Sequence, residues 1–115
     1  MNQAGTIYAL ASGVGISGIQ VFRISVPQSA AVIEQLTGRP LPSPRTATYT
    51  KFINPETGLD LDQGFVLWFP GPASYTGEDV SEIHAHGGRA VREAFLAAFS
   101  MVSGLRQAEA GEFTR

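Results

Sequence analysis

The sequence contains no cysteine. That excludes disulfides, thiolate metal sites and a cysteine nucleophile, and it favours a reducing compartment. It also has no apolar run near the roughly 18 residues of a membrane span, and no basic segment followed by an apolar core at its start. A cytoplasmic location with no membrane partner is expected. Cationic charge is scarce too: 8 Lys and Arg against 10 Asp and Glu give a net charge of -2. A sequence-independent grip on nucleic acid needs clustered Lys and Arg, so any RNA contact would use other surfaces. Internal repeats, heptads and low-complexity blocks are absent as well.

What remains is the composition of a soluble globular unit, 43% apolar and 16% charged over 115 residues. This length supports one domain, 1–115, but neither an eight-stranded α/β barrel nor a complete two-half dinucleotide fold. The stretch Ser12-Gly13-Val14-Gly15-Ile16-Ser17-Gly18 spells GxGxxG after a strand-like run, Thr6 to Ala11. A dinucleotide fingerprint requires a helix opening at the third glycine, so that N–H groups face the pyrophosphate. Instead Ile19 to Ile24 is β-branched and aromatic with no helical period, which predicts a strand. The glycines therefore form a pliable loop between two strands.

A helix from about Pro27 to Thr37 is predicted next, with Val32, Ile33 and Leu36 on one face and Gly38 as its stop. Gly38 to Pro44 reads as a connection inside the domain. Thr46 to Ile53 and Gly64 to Phe69 read as a hairpin around the turn Asn54-Pro55-Glu56-Thr57-Gly58, the second run being apolar enough for cover on both faces. Pro70 to Gly77 cannot propagate regular structure and reads as a shaped loop. Val80 to Ala85 is a further strand, and a helix follows from Arg89 to about Ser103, before Gly104. Val91, Phe95, Ala98, Phe99 and Val102 form its core stripe. Ala94, Leu96, Ala97 and Met101 widen its apolar surface, which fits either a deep position under a loop or a subunit interface. The fold class expected is α+β, a mixed and mainly antiparallel sheet of about five strands with two to three helices.

Strand alternation places Glu82, His84 and His86 on one face. This spacing suits a divalent metal, yet the chain has only 2 histidines, and a polar strand face lining a cleft is the favoured reading. Arg23 ends the row Ile19, Val21, Arg23; it either meets solvent or a surface carboxylate, or anchors an anionic group through its planar fork. Glu82 beside a glycine-containing loop can accept two parallel N–H bonds from a heterocycle with an amino group next to a ring N–H. Ser74, His84 and Glu112 supply triad residue types without a nucleophile elbow, and are read as chance co-occurrence.

Several words of this sequence then resemble one family in order and spacing. They are Phe22-Arg23-Ile24-Ser25, Leu67-Trp68-Phe69-Pro70-Gly71-Pro72, Ser74-Tyr75-Thr76-Gly77-Glu78-Asp79-Val80, Glu82, His86-Gly87-Gly88 and Gly111-Glu112-Phe113-Thr114. From about Thr6 to Arg115 the chain is similar to the N-terminal domain of the tRNA-uridine-modification GTPases, MnmE or TrmE. The resemblance implies a domain like the folate-binding domain of the glycine-cleavage aminomethyltransferases, forming a homodimer and binding 5-formyltetrahydrofolate or another tetrahydrofolate derivative. It implies a folate-contacting arginine at Arg23 and glutamate at Glu82, with no catalytic and no metal-ligating residue. It further implies a parent GTPase that uses GTP, Mg and K and, with a flavin-dependent MnmG-type partner, modifies the wobble uridine of tRNA.

Two departures bear on loop rigidity: Ala11-Ser12-Gly13 replaces the family's Pro-Pro-Gly, and Ala110 replaces a proline. The chain stops before a further folate-contacting lysine of the family and carries no GTPase motif. An excised domain, not catalytic alone, is expected. The competing expectations are a small aminomethyltransferase-like or metal-dependent enzyme fragment, and a dimerisation module without folate binding.

Overall fold

In the structure, a computed structural model, residues 6–10, 18–25, 29–70, 80–102 and 105–107 are described. The chain order is β1 (Thr6–Leu10), β2 (Ile19–Ser25), α1 (Ser29–Thr37), β3 (Thr48–Ile53), β4 (Asp60–Phe69), β5 (Val80–His86), α2 (Arg89–Ser100) and β6 (Leu105–Gln107). The strands form one six-stranded sheet in the order β3-β4-β5-β2-β1-β6. Every neighbouring pair is antiparallel except β1 with β6, which is parallel. This is the α+β class with a mixed, mainly antiparallel sheet.

Alternation along the strands sorts the side chains. Phe22 and Ile24 of β2, Phe52 of β3, Val66 of β4, and Ile83 and Ala85 of β5 are buried in one cluster with Val32, Ile33 and Leu36 of α1 and Phe95, Ala98 and Phe99 of α2. Both helices thus cover the same sheet face. Within that layer Phe22 meets Phe95 and Phe99 at ring-centroid distances of 5.1 and 5.3 Å, Phe52 meets Phe95 at 5.5 Å, and Tyr8 meets Phe99 at 4.5 Å. Offset and edge contacts of this kind add about 0.5–1.5 kcal/mol per pair beyond the area they bury.

The punctuation follows the sequence closely. α1 ends where Gly38 takes φ 67 and donates its N–H to the Glu34 carbonyl at 2.9 Å. The β3–β4 turn is held by Asn54, whose Oδ1 accepts the N–H groups of Glu56 and Thr57 at 2.8 and 3.2 Å. An Asx turn of this type explains why asparagine opens it. Among the described residues no helix is long and apolar enough to cross a membrane.

Some expectations need correction. α1 is described from Ser29, Pro27 lying outside the described residues, and α2 ends at Ser100, where the Met101 and Val102 N–H groups close a last turn on Ala98 and Phe99. β4 begins at Asp60, because pairing with Lys51 to Ile53 extends the hairpin beyond its apolar part. β4 is not covered on both faces: Val66 is buried while Phe65 is 44% exposed. The short β6 was not anticipated, since three residues carry no period. Residues 11–17 of the glycine loop and 71–79 of the proline-rich loop lie outside the described residues.

Candidate functional site

The sheet face opposite the helices is built from the other half of each alternation. β2 contributes Ile19, Val21 and Arg23, β5 contributes Glu82, His84 and His86, and β4 contributes Phe65 and Leu67. Register then fixes who meets whom. Arg23 lies opposite Glu82, which lies opposite Leu67; Val21 lies opposite His84, which lies opposite Phe65; and Phe65 lies opposite Tyr49 of β3.

The two residues singled out for ligand binding are therefore direct cross-strand neighbours. Arg23 Nη2 and Nε both donate to Glu82 Oε2, at 3.1 and 3.3 Å. His84 Nε2 sits 3.0 Å from Glu82 Oε1. An ionised carboxylate only accepts, so Nε2 carries the hydrogen of this bond. The side chains are 31%, 15% and 31% exposed for Arg23, Glu82 and His84, placing the carboxylate as the most sheltered member. Charge-assisted bonds in such partial shelter are stronger than those of surface pairs.

His86 is turned elsewhere. Its backbone N–H donates to Asp62 Oδ2 at 2.8 Å, and its Nδ1 lies 2.9 Å from Asp62 Oδ1. Asp62 thereby continues the β4–β5 ladder past its last backbone pair, Phe65 with His84. On the other side Gln20 Nε2 donates to the carbonyls of His86 and Gly88 at 2.8 and 3.2 Å, tying β2 to the start of α2. The Glu-x-His-x-His pattern thus shares a face without converging, and among the described residues no group of three His, Asp or Glu is arranged to hold a metal.

Beside the Arg23–Glu82–His84 row lies a cavity of about 420 Å³ whose walls include Ile19, Tyr49, Phe65, Leu67, His84 and His86. Tyr49 and Phe65 stand edge to face at 5.3 Å. His84 belongs to both features: its ring lines the cavity and its Nε2 holds Glu82. The arrangement sets an apolar cavity next to a carboxylate and a guanidinium on the same sheet face, with His84 common to both, which suits a planar heterocycle with N–H donors on one side and an oxygen acceptor on another.

Arg23 and Glu82 were legible from the sequence, and the structure brings them together. Phe65 and Leu67 were missed as lining residues because the run Gly64 to Phe69 reads as a fully covered strand, with strand parity inside it as the available signal, and Tyr49 was missed because its place depends on pairing with Phe65. Asp62 was missed because it lies in the polar start of β4. Ser74 and Glu112 lie outside the described residues.

Comparison with known proteins points one way. The family described as GTP-binding protein TrmE N-terminus matches residues 6–115. The chain is 54% identical over 110 residues to the mitochondrial 5-taurinomethyluridine-tRNA synthase subunit GTPB3 of Danio rerio, covering 96% of this chain and 22% of that protein. It is 52% and 54% identical over 110 residues to the tRNA modification GTPases MnmE of Parvibaculum lavamentivorans and Novosphingobium aromaticivorans, covering 96% of this chain and 25% of each. The chain thus spans about a quarter or less of the length of these curated relatives. With the match running over nearly all of its residues, the chain belongs to the TrmE N-terminus family.

Proposed function

We propose that this chain is the tetrahydrofolate-binding and homodimerisation domain of a tRNA-modifying GTPase, and that Arg23 and Glu82 anchor the folate. The observation that carries this reading is the Arg23–Glu82 pair on the open sheet face, joined through His84 to the wall of an apolar cavity. Glu82 receives the amino and ring N–H edge of the pterin, and Arg23 holds a carbonyl or carboxylate oxygen of the ligand.

The hydrogen-bond count refines that division of labour. A carboxylate has about four lone-pair sites, and Glu82 already accepts from Arg23 Nε, Arg23 Nη2 and His84 Nε2. Two further N–H bonds cannot be added to these three. The pair is accordingly a closed resting arrangement: Arg23 leaves Oε2 for the ligand's oxygen, and the vacated lone pairs accept the pterin edge. Glu82 exchanges the guanidinium for the N–H donors of the pterin and Arg23 exchanges the carboxylate for a ligand oxygen, so the sheltered carboxylate is never stripped of donors. A bound tetrahydrofolate derivative would supply a one-carbon unit; the residues here bind it, orient it and shelter its ring.

Titration of the purified chain with 5-formyltetrahydrofolate by calorimetry tests the reading. Glu82→Ala and Arg23→Ala are each expected to weaken binding, since a hydrogen bond to a charged group contributes about 1.5–3 kcal/mol, or about ten- to a hundredfold. Affinity unchanged within error in both variants would remove the assignment. Dimerisation rests on the apolar surface at the C-terminal end of α2, where Met101, just past the helix, is 50% exposed. Light scattering at high protein concentration is expected to report a dimer, and a strict monomer contradicts that part of the reading.

A further inference from the structure

The exchange of partners at Glu82 raises a question that neither anchor answers. When Arg23 turns to the ligand, something must keep the carboxylate in place. Glu82 is only 15% exposed at its side chain, so water alone is a poor substitute for a fixed donor. His84 is built for that role. It lies two residues along β5 on the same face, its Nε2–H reaches the oxygen that Arg23 does not use, and its own place on the sheet is pinned by register between Val21 and Phe65. Its ring is also a wall of the apolar cavity.

We propose that His84 is the positioning residue of this site: it holds one lone pair of Glu82 Oε1 throughout, so that release of Arg23 frees Oε2 and the carboxylate, still fixed, accepts the adjacent amino and ring N–H donors of a planar heterocycle on Oε2 and the remaining lone pair of Oε1. This inference rests on the folate reading above. It assigns His84 no contact with the reacting carbon and no proton transfer; its effect on the ligand passes through Glu82. Of the two Glu82 oxygens, Oε2 accepts from Arg23 and Oε1 from His84, so the two have separate duties. One stays fixed and the other changes partner.

The test compares His84→Gln, which keeps an N–H donor on a flexible amide, with His84→Leu, which keeps bulk and loses the donor. Both are titrated with 5-formyltetrahydrofolate, after thermal denaturation has verified that each folds. His84→Leu is expected to bind about ten- to a hundredfold more weakly, the loss associated with one hydrogen bond to a charged group. His84→Gln is expected to recover most of that loss, which a merely space-filling role would not allow. Imidazole ¹⁵N spectra supply an independent readout: the Nε2–H tautomer of His84 should persist on adding ligand, while the Arg23 guanidinium resonances move. Binding by the wild type with equal affinity in both variants would overturn the inference alone, as would a loss in His84→Leu that His84→Gln fails to rescue. No binding by the wild type would overturn the folate reading, and this inference with it.

Discussion

Replacing Gly64 by alanine should separate β4 from β5 and disable the candidate site together. A Cβ built on Gly64 lies deep inside the contact distance of the His84 carbonyl oxygen, 3.2 Å from its carbonyl carbon and 3.4 Å from the Ala85 Cα. The obstructing atoms are backbone, so no rotamer change relieves the overlap. β4 must shift away at this point, straining the Phe65–His84 pairing and the adjacent Asp62–His86 bonds. Overpacking costs about 1–3 kcal/mol, and a weakened hydrogen bond adds about 1 kcal/mol. Against this, alanine recovers about 0.4–1 kcal/mol by restricting the unfolded chain. The net loss is about 1–3.6 kcal/mol, which for a domain of this size lowers Tm by about 3–18 °C. Differential scanning calorimetry reads it directly. Gly18→Ala is the internal control, because a Cβ there meets none of the described residues within 4 Å, and its Tm should stay within about 2–3 °C of wild type, the scale of an ordinary surface change. A Gly64→Ala protein as stable as Gly18→Ala would refute the close approach of β4 to His84.

Two further outcomes follow from the core. Phe99→Ala removes a fully buried ring that contacts Tyr8, Phe22 and Phe95; urea denaturation should show a loss of about 3–5 kcal/mol, and a loss under about 1 kcal/mol contradicts the packing. Burial raises the Tyr8 phenol above its ordinary value of 10.0. The unfolded chain then ionises first, so the stabilisation is complete below about pH 10 and falls as pH rises toward the folded value. Tyr8→Phe should shallow this alkaline decline, and an identical slope in both proteins, measured by urea denaturation from pH 9 upward, would contradict the burial.

How much of this was legible beforehand depended on whether the signal was local. Val32, Ile33 and Leu36 announce α1 through their spacing, and Asn54 to Gly58 announce a turn through backbone chemistry alone. The Glu82, His84, His86 face follows from strand parity. Pairing partners are not local. That Arg23 stands opposite Glu82 depends on β2 lying beside β5, a neighbour 59 residues away in sequence. The same holds for Gly64, whose need for a missing Cβ arises only when β5 arrives. The diversion of His86 to Asp62 depends on β4 extending past its apolar run, and polar strand ends carry weak periodicity. The rejection of the dinucleotide fingerprint did survive, because it rested on the strand character of Ile19 to Ile24, and β2 covers that span.

On the proposed reading, the open sheet face beside Arg23 and Glu82 receives a folate. Backbone ¹H–¹⁵N chemical-shift mapping of the labelled chain during titration with 5-formyltetrahydrofolate tests it most directly. The expected result is saturable shifts concentrated on Val21, Arg23, Leu67, Glu82 and His84, with the helical layer of α1 and α2 largely unmoved. Saturable shifts confined to the helices, or none at millimolar ligand, would contradict the account.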